Sequence, residues 1–185
     1  GSVGAAGNAV AGKNKSALCA GCHGADGNSA APNFPKLAGQ DAQYTAKQLA
    51  DFKSGARKDP TMVGMVAGLS RKDMDDLGAY YASQKRSAGT TKASADALKK
   101  AERLYRGGDA KNGIPACMSC HGPAGVGIPP LFPAVSGQHA AYSQKQLLGF
   151  KTGTRSNDNE VMTRTAFRLS EAEIKAVSEY MAALH

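Results

Sequence analysis

The 185-residue chain contains no tryptophan, and aromatic residues make up only 6% of it. No apolar run approaches the ~20 residues that a membrane-spanning helix needs, which excludes a spanning protein. No basic start leads into an apolar stretch, so no signal peptide is expected within the chain. Basic blocks are missing as well. Lysine and arginine exceed aspartate and glutamate by 23 to 15, for a formal charge of +8, yet they are scattered singly with no interleaved aromatics to stack on bases. Nucleic acid is therefore set aside as a partner. The deepest shortage is of large apolar side chains. With 22 glycines and many alanines, two domains of about 90 residues would each have a thin core, and domains that small recruit a disulfide, a metal or a cofactor.

What is present is a repeat. Cys19-Ala20-Gly21-Cys22-His23 recurs as Cys117-Met118-Ser119-Cys120-His121, an offset of 98. The same offset superposes Pro32 on Pro130, Phe34 on Phe132, Pro35 on Pro133, and Gly39-Gln40 on Gly137-Gln138. It continues through Tyr44 and Tyr142, Lys47-Gln48-Leu49 and Lys145-Gln146-Leu147, Phe52-Lys53 and Phe150-Lys151, and Arg57 and Arg155. Beyond Arg57 the offset becomes 100, placing Leu69-Ser70 on Leu169-Ser170 and Tyr80 on Tyr180. An internal duplication explains this. The expected domains are residues 1–86 and 94–185, joined by a small-residue, polar linker at 87–93.

Each copy carries helical patterns and no convincing period-two alternation, so the fold class is all-α. Leu98, Ala101, Leu104 and Tyr105 share one face of a helix from Ser94 to Arg106, which approaches the second cysteine motif. The Gly/Pro-rich stretches Gly24 to Gly39 and Gly122 to Gly137 must loop. Tyr44, Gln48 and Phe52 predict a helix over 41–54, and Tyr142, Gln146 and Phe150 one over 139–152. A polar loop with a methionine comes next in each copy. Ser70 with Asp73, and Ser170 with Glu173, then form capping boxes that start a final helix.

Cys-x-x-Cys has several readings. One zinc shared by pairs 98 residues apart is ruled out by the distance, and a thioredoxin-like motif needs strands that are absent. Two disulfides would leave the histidine after each second cysteine unexplained. Cys-x-x-Cys-His is the c-type haem attachment signature, and it occurs twice in register. Two thiols one helical turn apart add to the two vinyl groups of one porphyrin, and the adjacent histidine reaches the iron. Two covalently bound haem c groups also supply the missing apolar mass.

The second axial ligand decides what the iron can do. Beyond His23 and His121 there are only His139, which matches Asp41, and the terminal His185; both read as surface groups. Met118 lies between the haem cysteines, and Met74 and Met181 sit on helical stripes. Met62 competes with Met65. Under the offset of 100, Met62 falls on Met162 while Met65 falls on Thr165, so Met62 and Met162 are selected. Each follows its haem histidine by about 40 residues. Thioether ligation favours the ferrous state and raises the potential relative to two histidines. Arg57, Arg155, Tyr44, Tyr142, Gln40 and Gln138 are candidate partners of the haem propionates. Pro32 or Pro35, with Pro130 or Pro133, could offer the carbonyl that orients the proximal imidazole. Four propionates would lower the net charge to about +4.

Taken together, the chain resembles the dihaem cytochrome c4 family along essentially its whole length. The resemblance rests on Cys19 to Gly27 as Cys-x-x-Cys-His-Gly-x-x-Gly, on Pro32-Asn33-Phe34-Pro35-Lys36-Leu37-Ala38-Gly39-Gln40, and on Met62-x-x-Met65. Tyr105-Arg106-Gly107-Gly108, Ser136-Gly137-Gln138-His139 and the C-terminal Leu184-His185 complete it. It implies two tandem cytochrome c-like domains, each wrapped around one haem, related by a pseudo-twofold with the haems close together. It also implies His/Met ligation through His23 with Met62 and His121 with Met162, and haem attachment at Cys19, Cys22, Cys117 and Cys120. The implied role is a periplasmic electron carrier without catalytic chemistry of its own. Its donor would be a quinol–cytochrome c reductase or another reductant and its acceptor a terminal haem-copper oxidase, with at most peripheral membrane association. The rival reading is a dihaem redox enzyme, of peroxidase or thiosulfate-oxidising type, with one labile iron. A third is a docking module of a larger oxidase.

Overall fold

The computed structural model describes residues 6–185. Among them there are helices and isolated bridge residues but no strand, and no helix is long and apolar enough to cross a membrane. The chain divides into two compact units: residues 6–87 with Pro129–Pro133, and Ala88–Ile128 with Ala134–His185.

In the first unit, α1 (Ala9–Lys15) starts where the Asn8 side chain accepts from Ala11 N–H. A single helical turn, α2 (Ala20–His23), carries the haem motif. Asp41 caps α3 (Ala42–Ser54), and Gly55 ends it in the left-handed region at φ 83°. Then come α4 (Pro60–Val66) and α5 (Arg71–Ala82), the latter opened by the expected Ser70/Asp73 capping box. Helices α1 and α3 both pack on α5. The α1 crossing is made at backbone contact, since a Cβ on Gly12 would stand 1.9 Å from the Asp76 carbonyl oxygen. The core is Ala46, Phe52, Val66, Leu69, Met74, Leu77, Tyr80 and Tyr81.

The second unit repeats this plan with α6 (Ala95–Gly107), α7 (Met118–His121), α8 (Ala140–Thr152), α9 (Val161–Arg168) and α10 (Glu171–Ala183). Its Ser170/Glu173 capping box also forms. Helices α6 and α8 pack on α10 around Ala101, Tyr105, Ile114, Leu147, Leu169, Ile174, Val177, Tyr180 and Met181. Residues 88–93 fold onto this unit. Thr91 Oγ1 donates to Glu179 at 2.7 Å, and Gly89 lies against the Ala182 carbonyl.

One expectation is corrected. Met62 and Met162 do not sit in loops; each lies on a short helix, α4 or α9. These helices hide from periodicity because they are only seven and eight residues long. Local chemistry starts the first of them. Pro60 occupies the first turn, where its missing N–H costs nothing, and Asp59 Oδ1 accepts from Thr61 and Met62 N–H at 3.1 Å each.

Candidate haem sites

Helix α2 sets the geometry of the first site. His23 N–H reaches the Cys19 carbonyl at 3.0 Å, so the two cysteines stand one turn apart with the imidazole following. Gly24 then breaks the helix at φ 81°, where a Cβ would meet the Asn28 carbonyl at 2.6 Å. His23 is 7% exposed, and its Nδ1 lies 2.9 Å from the Pro35 carbonyl oxygen. A carbonyl only accepts, so Nδ1 carries the proton and Nε2 keeps its lone pair. Of the two candidate prolines in this unit, Pro35 provides the orienting carbonyl. Burial lowers the His23 pKa and keeps the ring neutral. A buried, neutral, oriented imidazole is the donor that a haem iron requires.

The second site has the same frame. His121 is also 7% exposed, its N–H reaches the Cys117 carbonyl at 2.9 Å, and Gly122 ends α7 at φ 82°. None of the four cysteines is taken up in a disulfide, so all four sulfurs are available for thioether links. Among the described residues, no group of three or more His, Cys, Asp and Glu is placed to hold a metal ion. The donor set therefore fits thioether attachment to porphyrin with one imidazole on iron, and does not fit a zinc cluster.

Each first cysteine has a buried phenol beside it, supplied by a different helix in each unit. In the first unit the phenol is Tyr81 of α5, 1% exposed, whose hydroxyl lies against Cys19 without a well-formed hydrogen bond. Ser16 occupies the neighbouring position after α1. In the second unit the phenol is Tyr105 of α6, fully buried beside Cys117 and donating to the Gly122 carbonyl at 2.7 Å. Met181 of α10 stands where the repeat places Tyr81's counterpart. Burial raises both phenol pKa values.

The methionines separate by environment. Met62 is half-buried and packs on the first core together with Cys19; Met162 does the same in the second core with Cys117. Met65 points outward and is 46% exposed. Met162 is preceded by Asn159 and Glu160 in the left-handed region, at φ 48° and 65°. Asp158 bonds Thr163 there, through its N–H at 2.7 Å and its hydroxyl.

Four of the suggested propionate partners also make hydrogen bonds within the protein. Arg57, 7% exposed, lies over the Phe52 ring at 4.6 Å and donates to Gln48 Oε1 at 2.9 Å. Arg155 repeats this over Phe150 at 4.5 Å and with Gln146 at 2.9 Å. Gln40 and Gln138 are buried, and their side-chain oxygens accept from the next residue's N–H. Tyr44 and Tyr142 are half-buried. His139 is the N-cap residue of α8, half-buried, and His185 is exposed. Sequence reasoning missed the Arg–Gln pairs and the lysines described below. The signal was available, because Gln48/Gln146 and Lys53/Lys151 all superpose in the repeat.

Comparison with known proteins settles the family. The cytochrome c family model matches residues 5–85 and 98–185, one match per unit. Cytochrome c4 of Pseudomonas aeruginosa is 50% identical over 184 residues, spanning 98% of this chain and 90% of that protein. The crystal structure of reduced recombinant cytochrome c4 from Pseudomonas stutzeri superposes with a TM-score of 0.93 at 47% identity, covering 97% of this chain and 100% of that one.

The chain belongs to the cytochrome c4 family. As a cytochrome c4-family protein it carries two covalently bound haem c groups and transfers electrons. A relative in Stutzerimonas stutzeri bears the name thiosulfate dehydrogenase electron acceptor; it is 42% identical over 175 residues, spanning 92% of this chain and 81% of that protein.

Proposed function

We propose that each unit of this dihaem cytochrome c4-family protein binds iron between a histidine and a methionine, His23 with Met62 and His121 with Met162. Cys19 and Cys22, and Cys117 and Cys120, form the thioether links. Bound haem c supplies the one-electron ferric/ferrous couple. The observation that carries the ligand choice is that Met62 and Met162 share their core packing with Cys19 and Cys117, while Met65 is 46% exposed. Pro35 fixes the proximal ring of the first site, and Asp59 fixes the backbone of Met62. With these four side chains holding the two irons, no open place would be left for substrate, which favours carriage of electrons over catalysis.

The setting that suits this reading is the periplasm, with a quinol–cytochrome c reductase or another reductant as donor and a terminal haem-copper oxidase as acceptor. The formal charge of +8, about +4 after four propionates, favours acidic docking faces on those partners. A second donor class is favoured by the relative named as a thiosulfate dehydrogenase electron acceptor: a thiosulfate-oxidising enzyme.

Met62→Ala tests the ligand choice. It should abolish the long-wavelength thioether-to-ferric-iron absorption band at one haem and make that iron high-spin and reactive to carbon monoxide. Met65→Ala should leave the spectrum unchanged. The reverse pattern would overturn the assignment, and a high-spin iron in the unmodified protein would favour the enzyme reading.

A further inference from the structure

In both units a lysine on the last turn of the long helix reaches across to the chain that leaves the methionine-bearing helix. Lys53 of α3 donates to the Leu69 carbonyl at 2.5 Å. Lys151 of α8 donates to the Leu169 carbonyl at 2.6 Å and to the Phe167 carbonyl at 3.0 Å. Leu69 and Leu169 are equivalent in the repeat and both buried, at 6% and 2% exposure. Each joins the methionine-bearing helix to the final one, and each donates its own N–H back to that shorter helix, to Val66 in one case and Ala166 in the other. The leucine side chain anchors the joint in the core, and the lysine ammonium ties its carbonyl to a different helix.

The other end of each segment is held by an aspartate: Asp59 accepts from Met62 N–H, and Asp158 from Thr163 N–H. Helices of seven and eight residues are too short to be stable alone. Their hold on a side chain therefore depends on what fixes their ends. We propose that Lys53 and Lys151 are positioning residues that clamp Met62 and Met162 in place as iron ligands, acting through the Leu69 and Leu169 carbonyls. In this role neither lysine exchanges a proton. The proposal rests on the His/Met reading above. Its distinguishing content is kinetic, because a charge-assisted hydrogen bond that latches a short helix slows the opening that would free the thioether.

Purified holoprotein carrying Lys53→Met, which keeps the aliphatic stem and removes the ammonium, is compared with Lys53→Arg and the unmodified chain. Imidazole is mixed with the ferric protein, and loss of the thioether band is followed in time. Lys53→Met should speed displacement at one haem about tenfold, the size expected for one lost charge-assisted bond. Lys53→Arg should restore the slow rate. Lys151→Met should do the same at the other haem, and the two effects should add in the double variant. Displacement at the unmodified rate in Lys53→Met, with Met62→Ala still abolishing one band, overturns the clamp and leaves the ligand assignment standing. Retention of both bands in Met62→Ala overturns the assignment and the clamp with it. A denaturation midpoint that falls in proportion to the displacement rate marks Lys53 as merely structural and also overturns the clamp.

Discussion

Gly12 and Gly64 show how one residue type can be indispensable in one helix and dispensable in the next. A Cβ on Gly12 would stand 1.9 Å from the Asp76 carbonyl oxygen and 2.8 Å from Tyr80 Cβ, so α1 could not keep its place on α5. A Cβ on Gly64, in the middle of α4, would meet nothing within 4 Å. Gly12→Ala should cost about 1–3 kcal/mol through overpacking. Gly64→Ala should stabilise by up to about 1 kcal/mol, because it removes backbone freedom from the unfolded chain. Urea titration of the two variants checks both signs. At this scale the sequence was informative where spacing repeats and silent where contact decides. Cys19, His23 and Met62 are legible from the motif and register. Pro35 could not be separated from Pro32, because only the folded loop shows which carbonyl meets His23. Lys53 reads as an ordinary surface lysine until the chain after α4 is seen beneath its ammonium.

Helices differ in how they announce themselves. The long ones, α3, α6, α8 and α10, were visible because thirteen residues repeat an apolar face several times. The methionine-bearing α4 and α9 read as loops because one or two turns give no period to detect. Helix α1 is also short, at seven residues, and is held from outside. Asn8 N–H donates to Asp76 at 2.7 Å, and Lys15 pairs with Asp73 at 3.3 Å. The bond from Asn8 holds the Asp76 carboxyl below the usual carboxylate range, with Lys72 adding to the effect. The folded chain thus takes up that proton less readily than the unfolded one. The stabilisation is complete above the unfolded value of about 3.9 and is lost as pH falls through the lower folded value. Asp76→Asn should therefore be less stable than the unmodified chain by a constant margin from pH 5 to 8, with the gap closing below about pH 4. Urea midpoints across that range provide the measurement. The contribution is confined to the first unit, because Asp76 superposes on Ala176.

Two cores in one chain mean two separately sustained haem environments. The first cluster draws only on residues before Ser87 and the second only on residues after Ala88. Cys19→Ala combined with Cys22→Ala should therefore remove one haem by pyridine haemochrome assay and halve the thioether band. About half of the helical far-ultraviolet signal should go with it, since the first core lacks the bulk to stand without its macrocycle. Loss of both haems would contradict independent cores. The duplication itself was fully legible, and it gave the all-α class and the cofactor count; what it concealed was divergence inside matched positions. The phenol beside the first cysteine comes from α5 in one half, as Tyr81 near Ser16, and from α6 in the other, as Tyr105 in the same core as Met181. The halves have accordingly ceased to be interchangeable parts. Transplanting α10 into the first half would set Met181 over a serine and leave a void, and transplanting α5 into the second would crowd two rings into the room of one.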